Sequence, residues 1–147
     1  MSWFNSLKNK LNSIVVGTAA GEWAVTAMAV MVYADGEVEG PEIEKARIVA
    51  TTNPVVKNSI GSNRGEQLFN DVINTIGSEP RTMIQSYMRK LDELARKIDK
   101  LDDKNFALAG VIAVASADGE VEKPEYELLQ RFRLLLGATI DLPPAPK

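Results

Sequence analysis

The stretch ADGEVEGPEIE, residues 34–44, recurs 83 positions later as ADGEVEKPEYE, residues 117–127. The two copies differ only where Gly40 stands against Lys123 and Ile43 against Tyr126. Each copy follows an apolar segment, and its proline has a fixed backbone angle that suits the first turn of a new helix. We therefore predict two helix–loop–helix units, at about residues 22–52 and 105–137, related by an approximate twofold axis.

Hydrophobic periodicity on both sides of the repeat predicts helices and no strands. Apolar residues at spacings of three and four mark an amphipathic helix over residues 3–15, which Gly17 and Gly21 separate from a continuously apolar helix over 22–34. Further helices are predicted at 41–52, 54–60, 68–76, 80–98, 106–117 and 124–136, with a stop at Asn53-Pro54 because a residue before proline disfavours helical angles. The expected fold is an all-α, single-domain bundle of about seven or eight helices over residues 1–141, followed by a disordered tail at 142–147.

Composition narrows the possible classes of function. The chain has 147 residues, 45% hydrophobic and 25% charged, which is typical of one globular domain. It contains no cysteine and no histidine, so disulfides, thiolate chemistry, Cys/His zinc sites and histidine-based nucleophilic catalysis are excluded. The net charge of −3 and the lack of a basic stripe argue against nucleic-acid binding.

Localisation is predicted from apolar segments and their flanks. No apolar run reaches the 18 or so residues of a transmembrane helix, and the first residues lack the basic flank and apolar core of a secretory signal. We expect a cytoplasmic protein without a transmembrane segment. The apolar stripe of residues 3–15 leaves a peripheral position at the inner membrane face open, although docking onto the protein's own core is favoured.

The repeated stretches concentrate negative charge, since they hold ten of the twenty acidic residues in the chain. Neighbouring carboxylates repel by about 1 kcal/mol per pair at 4 Å in water and about 4 kcal/mol near a protein surface, so a bound cation would stabilise such a cluster. Oxygen ligands favour hard cations, with calcium the first choice and magnesium or manganese next. The candidate metal ligands are Asp35, Glu37, Glu39 and Glu42 in the first copy and Asp118, Glu120, Glu122 and Glu125 in the second.

The spacing Asp-Gly-x-Val-x-x-x-Glu coincides with the second half of a calcium-binding EF-hand loop. Where that loop would carry its first carboxylates, this chain has Met31 and Tyr33, or Val114 and Ser116. A complete EF-hand is therefore excluded, and a partial or differently completed oxygen site is the hypothesis.

A purely structural reading accounts for part of the motif. Gly36 and Gly119 would be turn residues in the left-handed conformation at helix ends, and Glu42 and Glu125 would favour a helix N-terminus by about 0.3–1 kcal/mol each. Helix capping explains the Asp-Gly pair, the proline and these two glutamates. It leaves the remaining acidic residues unexplained, so charge-mediated binding is preferred.

With these residues in view, the chain resembles the TerB family of tellurite-resistance proteins. The resemblance covers nearly the whole chain and depends mainly on the two Ala-Asp-Gly-x-apolar-x-x-x-Glu loops. It implies an all-helical, pseudo-twofold domain whose acidic clusters bind divalent cations and which works in the cytoplasm with other stress-response proteins, including membrane-associated ones. The family's motif residues fall on Asp35, Gly36, Glu42, Asp118, Gly119 and Glu125.

The leading functional hypothesis is a non-catalytic adaptor: a cation bound at the acidic loops orders a surface, and a partner protein recognises that surface. Direct capture or reduction of tellurite would call for thiols or a cationic pocket, which this sequence does not provide. Two alternatives stay open. One is a metal-dependent hydrolase with paired carboxylates, and the other is a metal-free scaffold or oligomer interface.

Overall fold

The computed structural model describes residues 16–34, 36, 38–117 and 119–146. These residues form seven α-helices and no strand, which confirms the predicted all-α class. We number the helices in chain order: α1 (Thr18–Val32), α2 (Gly40–Thr52), α3 (Pro54–Ser59), α4 (Ser62–Ser78), α5 (Pro80–Arg96), α6 (Leu101–Ala115) and α7 (Lys123–Leu136). The amphipathic helix predicted over residues 3–15 lies outside the described residues.

Helix α1 is the centre of the bundle. It is apolar on all sides, and such a helix is stable only when other elements surround it. Eleven of its fifteen residues are buried, and it packs against α2, α3, α4, α5 and α6. The ring of Trp23 also meets the ring of Phe132 on α7 edge-to-face, with centroids 5.3 Å apart. Because α1 is central, its C-terminal end fixes where the first acidic loop begins.

Two of the other long helices, α4 and α5, show the one-sided pattern of surface elements. Helices α4 and α5 bury one apolar face and expose charged residues on the other. Helix α6 resembles α1, with nine buried residues. The two helices that precede the acidic loops are thus the two most apolar ones, and both loops emerge from the core.

Three predicted helix starts were wrong. Helix α4, expected from residue 68, begins at Ser62 because its first turns are polar and carry no apolar periodicity. Gly21 was expected to separate two helices but lies inside α1, which begins at Thr18. Its backbone N–H donates to Ser59 Oγ at 3.1 Å, and a Cβ there would come within 2.2 Å of the same oxygen, so this glycine permits close approach of α3. Helix α6 begins at Leu101 instead of residue 106 because its first, polar turn carries no apolar periodicity.

The predicted boundary at Asn53-Pro54 is confirmed. Helix α2 ends at Thr52, and Asn53 has extended angles, with φ −65° and ψ 129°. The Asn53 side chain accepts a hydrogen bond from Val55 N–H at 2.9 Å, which caps α3. One residue therefore ends one helix and begins the next.

The chain after α7 is fastened to the bundle. The Asn105 Oδ1 atom accepts the Thr139 N–H at 2.7 Å, and the Arg133 Nε atom donates to the Ile140 carbonyl at 2.9 Å. Leu142 is partly buried against the core, and residues 142–146 form no regular secondary structure. The disorder predicted for residues 142–147 stays a prediction. Among the described helices, none has the length and apolar character to cross a membrane.

Candidate functional site

The two acidic loops have the same local construction. Helix α1 is followed by Gly36 with φ 80°, and α6 is followed by Gly119 with φ 91°. In each loop the glycine N–H donates to a carbonyl three residues earlier, on Tyr33 at 3.2 Å and on Ser116 at 2.9 Å. Both glycines have the positive φ that glycine adopts readily. The twofold axis between the units stays a prediction.

Beyond each glycine, a glutamate is the N-cap of the following helix. Glu39 precedes α2 and Glu122 precedes α7, and a proline follows within the first two helical positions in both cases. At α7 the caps are reciprocal: Glu122 and Glu125 form a capping box, in which the Glu122 N–H donates to Glu125 Oε1 at 3.0 Å. Glu39 is exposed and makes no capping hydrogen bond through its side chain. Capping thus accounts for part of the second acidic cluster and does not account for Glu39.

A cleft of about 280 Å³ lies where helices that flank the two repeated stretches meet. The first unit contributes the end of α1 and the first turns of α2, and the second contributes the end of α6, its acidic loop and the start of α7. Four of the predicted ligands line this cleft, together with one lysine: Glu42, Glu120, Glu122, Glu125 and Lys45. Its remaining lining is apolar, from Met31, Val32, Ala46, Val114 and Ala117. Carboxylates far apart in sequence therefore face one shared space.

The other predicted ligands are placed differently. Glu39 does not line the cleft, although it directly precedes α2, whose Glu42 does line it. Asp35, Glu37 and Asp118 lie outside the described residues. Within residues 16–34, 36, 38–117 and 119–146, no three acidic side chains are grouped closely enough to hold a metal ion. The described carboxylates thus form an acidic cleft and not, by themselves, a complete coordination sphere.

Lys45 is the cleft residue that sequence analysis missed. It follows Glu42 by three positions on α2, a spacing that places both side chains on one helix face. That spacing was a signal available in the sequence. The apolar floor of the cleft had no such signal, because Val114 and Met31 meet there only through the packing of α6 against α1.

Comparison with known proteins gives one result for this chain. No curated protein and no solved structure matches the sequence. A family model described as tellurite resistance protein TerB matches residues 22–141, which include both acidic loops and all but the first residues of the helical bundle. This chain is therefore a member of the TerB family of tellurite-resistance proteins.

Proposed function

We propose that this protein is a non-catalytic component of a tellurite-resistance-type stress response, in which the acidic cleft takes a divalent cation and presents the ordered surface to a partner protein. Membership of the TerB family supports the tellurite-resistance-type function. The observation that carries the rest of the proposal is the convergence of four glutamates from both repeated stretches on one cleft, where Lys45 is the one basic residue among the described lining residues.

The cation part of the proposal follows from the chemistry of the donors. All polar groups predicted for the site are carboxylates, and oxygen-only ligands select hard cations such as calcium. A divalent ion in the cleft would be attracted by the carboxylates of Glu42, Glu120 and Glu122, which outnumber the ammonium of Lys45 among the described lining residues. Asp35 and Asp118, at the starts of the two loops, are the residues we expect to complete the coordination.

A calcium titration of the full chain tests the cation site. Calcium at about a hundred times its dissociation constant should raise the free energy of unfolding by about 2.7 kcal/mol. The double variant Glu42→Gln with Glu120→Gln should lose most of that gain, because two cleft carboxylates become neutral. Glu66→Gln is the matched control, since Glu66 is exposed on α4 and does not line the cleft. If millimolar calcium, magnesium and manganese all leave the melting temperature unchanged, the cation site is rejected.

A metal-dependent hydrolase is the second candidate, favoured by the same shared cleft. Hydrolysis assisted by two metal ions needs the ions about 3.5–4 Å apart, with carboxylates from both sides. The measurement is hydrolysis of a phosphate ester by the wild-type chain with manganese, compared with the Glu42→Gln, Glu120→Gln double variant. If the wild-type chain hydrolyses the ester and the double variant does not, the non-catalytic proposal is rejected. Equal background rates in the two proteins support the non-catalytic proposal.

A metal-free scaffold is the remaining alternative, and the capping box of α7 gives it a physical basis. Under that reading Glu125 serves only the helix terminus, and the acidic cleft has no ligand. The paired variant Asp35→Asn with Asp118→Asn separates the readings. A scaffold predicts unchanged partner binding and unchanged response to calcium, whereas the cation proposal predicts that both are weakened.

A further inference from the structure

A second depression, apolar in character, lies beside the acidic cleft. It also measures about 280 Å³, and three separate helices and the start of the first loop form it. Its main lining residues are Tyr33 and Ala34 after α1, Ile84 and Met88 on α5, and Leu128 on α7. All five are only partly buried, so this apolar surface faces outwards. We call it the Met88 groove.

The wall of the Met88 groove is held in position. The Tyr33 hydroxyl donates to the Ile73 carbonyl on α4 at 3.0 Å, which anchors the ring from behind. A Cβ at Gly77, one turn further along α4, would come within 3.1 Å of the same hydroxyl, so the ring is also closely packed there. A pre-formed apolar wall loses little conformational entropy when a ligand binds.

The acidic cleft and the Met88 groove both border the start of α7. Glu122 and Glu125 line the cleft, whereas Pro124, Glu127 and Leu128 line the groove. Glu125 and Leu128 are three positions apart on α7, a spacing that makes them neighbours on the helix surface, so the two depressions lie close together. One extended contact surface can therefore cover both.

The two depressions can be compared at positions that match along the sequence repeat. Counting 83 positions along the chain, Leu128 in the groove corresponds to Lys45 in the cleft. Likewise Ala34 in the groove corresponds to Ala117 in the cleft. Matching positions of the two units thus provide a charged depression in one place and an apolar one in the other. Two different kinds of contact are combined on one face.

The lining and charge of this face indicate the class of ligand. A depression of about 280 Å³ suits one or two anchoring side chains of a helix in a groove. Glu127 on the rim and the glutamates of the neighbouring cleft attract basic residues. Arg131, one turn beyond Glu127, would meet an acidic group at the other end of the ligand.

We propose that the Met88 groove is the docking site for an amphipathic helix of a partner protein, with an apolar anchor in the groove and basic side chains directed to the acidic cleft. This inference depends on the adaptor part of the proposed function and names the chemistry of the partner. It does not depend on a bound cation.

Two synthetic helical peptides test the docking site. One consists of leucine and lysine, and the other has the same leucine pattern with glutamate in place of lysine. They are titrated into the full chain in the presence of a calcium chelator, and the side-chain methyl NMR signals of Met88 and Ile84 are followed. The lysine peptide should shift both methyl signals and bind at least about tenfold more tightly than the glutamate peptide. The difference should shrink with added salt, because rim charges are screened.

Substitutions on α7 provide a matched pair of variants. Leu128→Glu should weaken the lysine peptide at least about tenfold, because a carboxylate would enter the groove. Leu134→Glu on the same helix should leave binding unchanged, since Leu134 is 83% exposed and does not line the groove. Should Leu128→Glu prevent folding, Met88→Gln replaces it with the same expectation.

The outcomes separate this inference from the cation proposal. The docking site is overturned if both peptides bind equally or if Leu128→Glu and Leu134→Glu have equal effects. It is also overturned if the methyl signals respond to lipid vesicles and to neither peptide. Peptide binding without any response to calcium supports the docking site and rejects the cation. A calcium response without peptide binding supports the cation site and rejects the docking site.

Discussion

At the scale of single residues, Tyr33 links the end of α1 to α4. Its hydroxyl donates to the Ile73 carbonyl at 3.0 Å, and burial raises the pKa of the Tyr33 hydroxyl above its ordinary value of 10.0. The same side chain forms one wall of the Met88 groove. Its position therefore affects both the packing of the bundle and the shape of the proposed docking site.

Tyr33→Phe should lower the free energy of unfolding at neutral pH by about 0.5–1.5 kcal/mol, because it removes this hydrogen bond and keeps the ring. The raised pKa means that the unfolded state loses the Tyr33 proton at lower pH than the folded state. The stability that the Tyr33 hydroxyl contributes to the wild-type protein is therefore complete below pH 10. It is lost as the pH rises through the pKa that this hydroxyl has in the folded state. Urea titrations of both proteins at pH 7 and above pH 10 measure the effect. A difference between them that grows with pH would contradict this account.

At the scale of secondary-structure elements, the two helices after the acidic loops begin differently. Helix α7 has a reciprocal capping box, and α2 has a proline without a side-chain cap from Glu39. The two repeated stretches differ at the first helical position, where Gly40 stands against Lys123, and again where Ile43 stands against Tyr126.

Substitutions at these glutamates should show that difference. Glu125→Ala should lower stability by about 1 kcal/mol, because the Glu122 N–H loses its acceptor. Glu39→Ala should stay within about 0.5 kcal/mol of wild type, as expected for an exposed residue without a capping bond.

Glu125→Gln separates capping from charge, since glutamine keeps an acceptor oxygen at the same position. It should preserve the stability that Glu125→Ala loses, while calcium binding weakens. Thermal unfolding with and without calcium measures both effects. Equal stability losses in Glu125→Ala and Glu125→Gln would show that the hydrogen bond is not the cause.

At the scale of the whole molecule, the start of α1 is held by a residue 86 positions away. The Asp103 Oδ2 atom, in the first turn of α6, accepts the Gly17 N–H at 3.2 Å. Asp103 is only 8% exposed, and burial of a carboxylate is tolerated because the N-terminal ends of two helices and a backbone donor surround it. The two most buried helices are thus joined at the end of the bundle opposite to the acidic loops.

Asp103→Ala should therefore lower the free energy of unfolding by about 1.5–3 kcal/mol, the range for a lost hydrogen bond to a charged group. The neighbouring Asp102 is exposed in the same helical turn, so Asp102→Ala should cost only about 0.3–1 kcal/mol from the helix dipole. Denaturant unfolding of both variants is the measurement, and similar losses for the two would argue against a long-range role of Asp103.

The amino-acid sequence by itself determined the helices and the two loops. Periodicity of three and four residues requires only local geometry, and the Asp-Gly-x-Val-x-x-Pro stretches carry their own turn and helix-start residues. The left-handed φ of Gly36 and Gly119 was predictable for this reason. Gly21 was misjudged because its function, to let α3 approach α1, involves Ser59 far along the chain.

Only the tertiary structure decided which of these groups meet. The sequence placed acidic residues in two loops 83 positions apart, and the packing of α1 against α6 brought Glu42 into one cleft with Glu120 and Glu125. The Met88 groove likewise combines α5 with α7 and had no counterpart in any local pattern. Periodicity shows which face of a helix is apolar, but it does not show which other element covers that face. The hydrophobic effect is non-directional, so only the tertiary structure decides the packing partner.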